Sequence, residues 1–164
     1  MSVRTKLSVQ EGPAIGSLPR SAPAFDERFP ACLDAVMAAD PAAAPWGRRD
    51  GLPRGPIGIG LLSALRGGPV GPEAVRELTI DAVAALYRRL YWVPSRARLL
   101  PAGPDRALLA LAIAVGPQRA TLIAQRILGL AEDGLLDPAT LPSFTADGAA
   151  ALTAALDEAA AAAT

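Results

Sequence analysis

The stretch PDRALLALAIAVGPQRATLIAQRILG, residues 104–129, decides the fold. Pro104 suits the first turn of a helix, where its missing N–H would have no partner anyway. From Asp105 to Val115 the residues are apolar on almost every side, which is how a central, buried helix reads. Gly116-Pro117 breaks that helix and opens another that runs to Leu128, with Gly129 closing it. No segment elsewhere has a run of alternating β-branched residues, so the expected class is all-α, with at most one small hairpin.

Helical signals continue outward on both sides. Upstream, Thr79 is placed to cap a helix that carries Val83, Leu86, Tyr87, Leu90 and Tyr91 on one side. Pro94 is expected to end it, and PSRARLLPAG to form a loop. IGIGLLSALRGG reads as a short apolar helix ending at Gly67. Residues 41–56, rich in Pro and Gly, read as an irregular loop, the place for any hairpin. From Ala24 to Ala39, Phe25, Phe29, Cys32, Leu33, Val36 and Met37 share one helical face, with Pro30 shifting or kinking the start. Residues 1–22 are polar with scattered Gly and Pro and read as a flexible arm that adds little to folding. Downstream, EDGLLDPATL reads as a turn, then a short helix beginning at Asp137-Pro138. Ala146 to Ala163 is a low-complexity, Ala-rich helix expected to pack weakly or fray. The organisation is thus an arm (1–22), a helical domain (23–144) and an Ala-rich helix (145–164).

Composition narrows the chemistry. Basic and acidic residues number 16 each, which argues against nucleic-acid binding by charge. Arginines do cluster at Arg48 and Arg49, Arg88 and Arg89, and Arg96 and Arg98. They read as solvated surface, with an anionic-ligand site as the alternative. There is no histidine, which removes Ser-His-Asp and Cys-His nucleophile systems and the common zinc sites. The single cysteine, Cys32, can form no internal disulfide and falls on a core-facing stripe. GLPRGPIGIG is glycine-rich but lacks the Lys-Ser/Thr of a phosphate loop. Glu132, Asp133 and Asp137 lack the remaining ligands of a calcium loop and read as a solvated turn. No cofactor or metal is expected. No signal peptide and no spanning segment is read, so the default expectation is a cytoplasmic protein, with signal-independent export or association with a particle as alternatives.

Carboxylates and aromatics remain as candidates. Asp40 closes a helical run just before Pro41 and is either a helix stop, a general acid or a ligand-binding carboxylate. Asp50 stands beside Gly51 and reads as a turn former, with a catalytic carboxylate as the alternative. Trp46 lies in a loop of small residues, either plugging the core or stacking on a ligand. Tyr87, Tyr91 and Trp92 are either core or a sugar-stacking wall.

One order of features goes further. LYRRLYW, then LLPAGPDRALLALAIAVGPQRA, then AQRILGLAEDGLLDPATL resembles glycoside hydrolase family 108, bacterial and phage lysozyme-like muramidases, with the peptidoglycan-binding domain usually fused behind them. The resemblance spans roughly residues 24–144. It rests on Tyr87, Tyr91, Trp92, Leu100, Pro101, Gly103, Asp105, Gly116, Pro117, Gln125, Leu128, Gly129, Asp133, Gly134, Pro138 and Thr140. It implies a lysozyme-like helical domain acting on peptidoglycan glycan strands. The departures are at the catalytic end. Where the family has its catalytic Glu, helix phase gives Asp40, and counting back from Gly58-Ile59-Gly60 gives Pro41. Asp50 and Gly58-Ile59 match, but Gly55 or a neighbour replaces a loop Thr. Ala110 and Ala114 replace an Asp and an Asn on the buried helix. The expectation is therefore a divergent, catalytically impaired member, a pseudoenzyme serving as a peptidoglycan-binding or structural module in a phage-derived or secretion setting. The alternatives are an active muramidase with Asp40 as general acid, and a structural subunit of a phage-like particle. Peptidoglycan or particle proteins are the partners this implies.

Overall fold

The computed structural model describes residues 27–39 and 57–163. Among the described residues all regular structure is helical, as the sequence indicated. The order is α1 (Phe29–Ala39), α2 (Ile59–Arg66), α3 (Pro72–Arg76) and α4 (Ile80–Tyr87). A π-helical turn (Arg88–Trp92) leads from α4 into α5 (Val93–Ser95), and a 3-10 turn (Ala97–Leu99) follows. Then come α6 (Pro104–Val115), α7 (Pro117–Ile127) and α8 (Ala146–Ala161).

Helix α6 is the centre of the fold. It buries Ala107, Leu108, Leu109, Leu111 and Ala112, and is packed by α1, α7, α8 and the π turn. Removing a fully buried leucine from such a site costs about 2–5 kcal/mol, because lost contacts add to lost transfer energy. Its ends follow the glycine and proline code. Gly103 (φ 102°) and Gly116 (φ 87°) flank it, each in a region closed to side chains with a Cβ. Helix α7 ends in a Schellman motif, with Leu130 N–H donating to Gln125 O at 2.9 Å and Gly129 N–H to Arg126 O at 3.1 Å. Thr79 caps α4 by accepting from Ala82 N–H at 3.2 Å.

The first helix begins at Phe29, with Pro30 in its first turn, where no N–H is needed, so Pro30 shifts the start as expected. Three other local expectations change. Pro94 does not end its helix. The turn before it widens instead, with Val93 N–H donating to Arg88 O, five residues back. A π turn adds a residue to the helix, and it sits where a proline approaches upstream carbonyls. Asp137-Pro138 opens a single hydrogen-bonded turn, Thr140 and Leu141 N–H both donating to Asp137 O, and no helix follows directly. The Ala-rich helix α8 packs firmly against α6: Leu152 and Leu156 are buried and Arg106 pairs with Asp157 at 2.5 Å. The small side chains of α8 let its backbone lie close, which offsets their small individual burial. A Cβ at Gly103 would sit 2.9 Å from Thr153 Oγ1, which shows how close the approach is. The loop at 41–56 lies outside the described residues, and so does the arm at 1–22.

Candidate functional site

Asp40, Trp46 and Asp50 lie outside the described residues, as do Arg48 and Arg49. What is described is the frame that leads to them. Helix α1 ends at Ala39, the residue before Asp40 in sequence. Its start is tied down by two residues, Arg28 and Phe29. The Arg28 guanidinium donates to Leu100 O at 2.7 Å and Arg98 O at 3.3 Å. Its Nε faces Asp105 Oδ2 at 3.3 Å. Phe29 packs on Trp92 with ring centroids 5.5 Å apart at 54°, an ordinary tilted aromatic pair.

Asp105 is the hub of this frame. It is 1% exposed, yet charged groups rarely go inside unpaired. Its Oδ1 accepts from Gly103 N–H at 2.9 Å and Arg106 N–H at 2.7 Å, satisfying donors at the start of α6. Its Oδ2 makes no well-angled hydrogen bond and is held by the charge of Arg28. The Cys32 thiol lies beside the same carboxylate. Burial, then the Asp105 charge and a hydrogen bond to it, push Cys32 up to about 12. A thiol so placed is a core group with no nucleophilic character near neutral pH. Sequence reasoning singled out Asp105 and Cys32 separately. It missed Arg28, because nothing local marks a residue whose partners are far along the chain.

The aromatic candidates separate. Tyr87 and Trp92 are both 0% exposed and belong to the core; neither ring presents a face to a ligand. Tyr91 is half-buried and packs on Tyr87 with centroids 5.5 Å apart, so of the three it alone keeps an accessible portion. Burial raises the phenol pKa of both tyrosines, and Tyr91 raises that of Tyr87 further. The Tyr87 hydroxyl is buried with no hydrogen-bond partner among the described residues.

The positions expected to be polar on α6 are placed as well. Ala110 is half-buried against the core and Ala114 is exposed, four residues apart on the same helix side. Neither offers a group that could orient water or sugar. The arginines near the surface do more than face solvent. Arg96, with φ 55°, donates to Leu136 O at 2.8 Å and joins the segment after α5 to the segment after α7.

The turn at 132–137 is built rather than merely solvated. Gln125, 2% exposed, donates through Nε2 to Asp133 Oδ1 at 2.7 Å and Leu135 O at 3.2 Å, while its Oε1 accepts from Gly134 N–H at 2.8 Å. Asp133 also accepts from Leu135 N–H at 2.8 Å. Those bonds, Gln125 first, hold the Asp133 carboxyl below its ordinary range. Arg126 and Glu132 form a bidentate pair at 3.0 and 2.6 Å on the exposed side. These acids serve the turn, and no group of three or more possible metal ligands occurs among the described residues. No described helix is long and apolar enough to cross a membrane.

No family model matches the chain, and neither does any curated protein. Among solved structures, the chain is similar to SagA of Brucella abortus, with 26% identity, 84% of this chain and 78% of that chain covered, and a TM-score of 0.55.

Proposed function

We propose that the protein is a divergent lysozyme-like module that engages peptidoglycan without cleaving it, with its catalytic cleft reduced to a scaffold. The observation that carries this reading is on α6, where Ala110 and Ala114 stand at the two positions that the resemblance equips with Asp and Asn and offer no polar group there. Two further facts support it. Of the motif residues from Tyr87 to Thr140, Tyr87, Trp92, Leu100, Asp105 and Gln125 are buried in the described fold, and the fold is similar to that of SagA of Brucella abortus. A glycosidase needs a carboxylic acid within hydrogen-bond reach of the glycosidic oxygen and a second group to handle water or the sugar. Asp in place of Glu withdraws the acid by about 1 Å, and a misplacement of that size can cost on the order of 10²-fold. The loss of the loop Thr and of two polar residues on α6 compounds the effect. A phage-derived or secretion setting, reached by export or as part of a particle, would suit such a module.

The rival reading, an active muramidase with Asp40 as general acid, is favoured by one feature. The helix that precedes Asp40 is anchored at its start by Arg28 and Phe29, which fixes the direction in which it leads to Asp40. Purified sacculi separate the readings. The proposal expects the protein to co-sediment with sacculi and to release no muropeptides. Release that disappears in Asp40→Ala establishes the muramidase. Failure to bind, together with purification in a larger assembly, points to the structural subunit instead.

A further inference from the structure

We draw no further inference here: the strongest candidate, the open cleft of about 600 Å³ between the 101–103 turn and α8, is a stripe of small residues whose polar groups, Thr153 and Asp157, are already paired within the chain, and nothing in the structure shows what covers it.

Discussion

Replacing Asp105 tests whether the frame around α1 and α6 is held by this one carboxylate. In Asp105→Ala two backbone donors, Gly103 N–H and Arg106 N–H, lose their acceptor, and Arg28 loses the charge it faces at 3.3 Å. A buried donor left unmade costs about 1–3 kcal/mol, and both donors here are only partly buried, so the low end applies to each. Arg28 is 31% exposed and can turn to water, which keeps its own loss small. The total is about 2–4 kcal/mol. For a chain of this length each kcal/mol lowers the melting temperature by about 2–4 °C, so the expected drop is on the order of 10 °C. Asp105→Asn is the control. It keeps an acceptor for the two N–H groups but sets an amide NH2 against Arg28 in place of the charged Oδ2, so it should cost about 1–2 kcal/mol, less than the alanine variant. Thermal melts followed by circular dichroism read both variants. If the alanine variant melts no lower than the asparagine variant, the capping role assigned to Oδ1 is wrong. Arg28→Ala combined with Asp105→Ala in a double-mutant cycle then reads the coupling of the ion pair, expected at about 1 kcal/mol or less after allowance for solvent screening.

Three other outcomes follow from the same packing. Cys32 should resist thiol reagents at neutral pH until the protein unfolds; and because the folded thiol ionises at about 12 against 9.0 for a free one, its share of stability is present below the lower value and is lost as pH rises between the two, so rapid labelling of native protein would contradict its burial. Leu156→Ala should destabilise by about 2–5 kcal/mol if α8 is part of the core, whereas a loosely held tail would leave the melt unchanged. Gln125→Ala removes three hydrogen bonds that hold the turn at 133–135, and amide exchange at Gly134 and Leu135 should accelerate while α6 stays protected; uniform protection would show the turn to be held by something else.

Local signals carried most of the helix boundaries into the sequence. Thr79, Gly67, Gly116 and Gly129 act through backbone groups within a few residues of themselves, so their effect is written beside them. The apolar run of α6 is equally plain, because a helix with no polar side can only go inside. The misreadings share the opposite property. Arg28 has no meaning until Leu100 and Asp105 are brought beside it. Arg96 looks solvated until Leu136 O arrives. The π turn before Pro94 depends on which residue the core needs: the extra residue belongs to the segment that carries Trp92 to full burial. The close packing of the Ala-rich helix is not legible in its sequence, because propensity and side-chain size say nothing of how closely a neighbour can come. For the candidate site, Tyr87 and Trp92 could not be divided from Tyr91 by spacing alone, since all three lie on one continuous helical stretch.

Activity can fail for want of an acid or for want of everything around it, and variants tell these apart. If the acid alone were missing, Asp40→Glu would restore reach, and cleavage of purified peptidoglycan would follow. The reading here predicts that it does not, because a positioned acid also needs neighbours that hold water and substrate. Adding those neighbours has unequal consequences. Ala114 is exposed, so Ala114→Asn should change stability by no more than about 0.5 kcal/mol. Ala110 is half-buried against the core, so Ala110→Asp places a carboxyl partly out of water and should cost about 1–3 kcal/mol unless a partner meets it. A cleft under selection for catalysis would keep a polar partner there to offset that cost. The expected result is that Asp40→Glu is folded and inactive, and that the triple variant with Ala110→Asp and Ala114→Asn is destabilised in proportion to the Ala110 change. Muropeptide release by Asp40→Glu alone would show that the surrounding groups are intact after all, and the scaffold reading would be wrong.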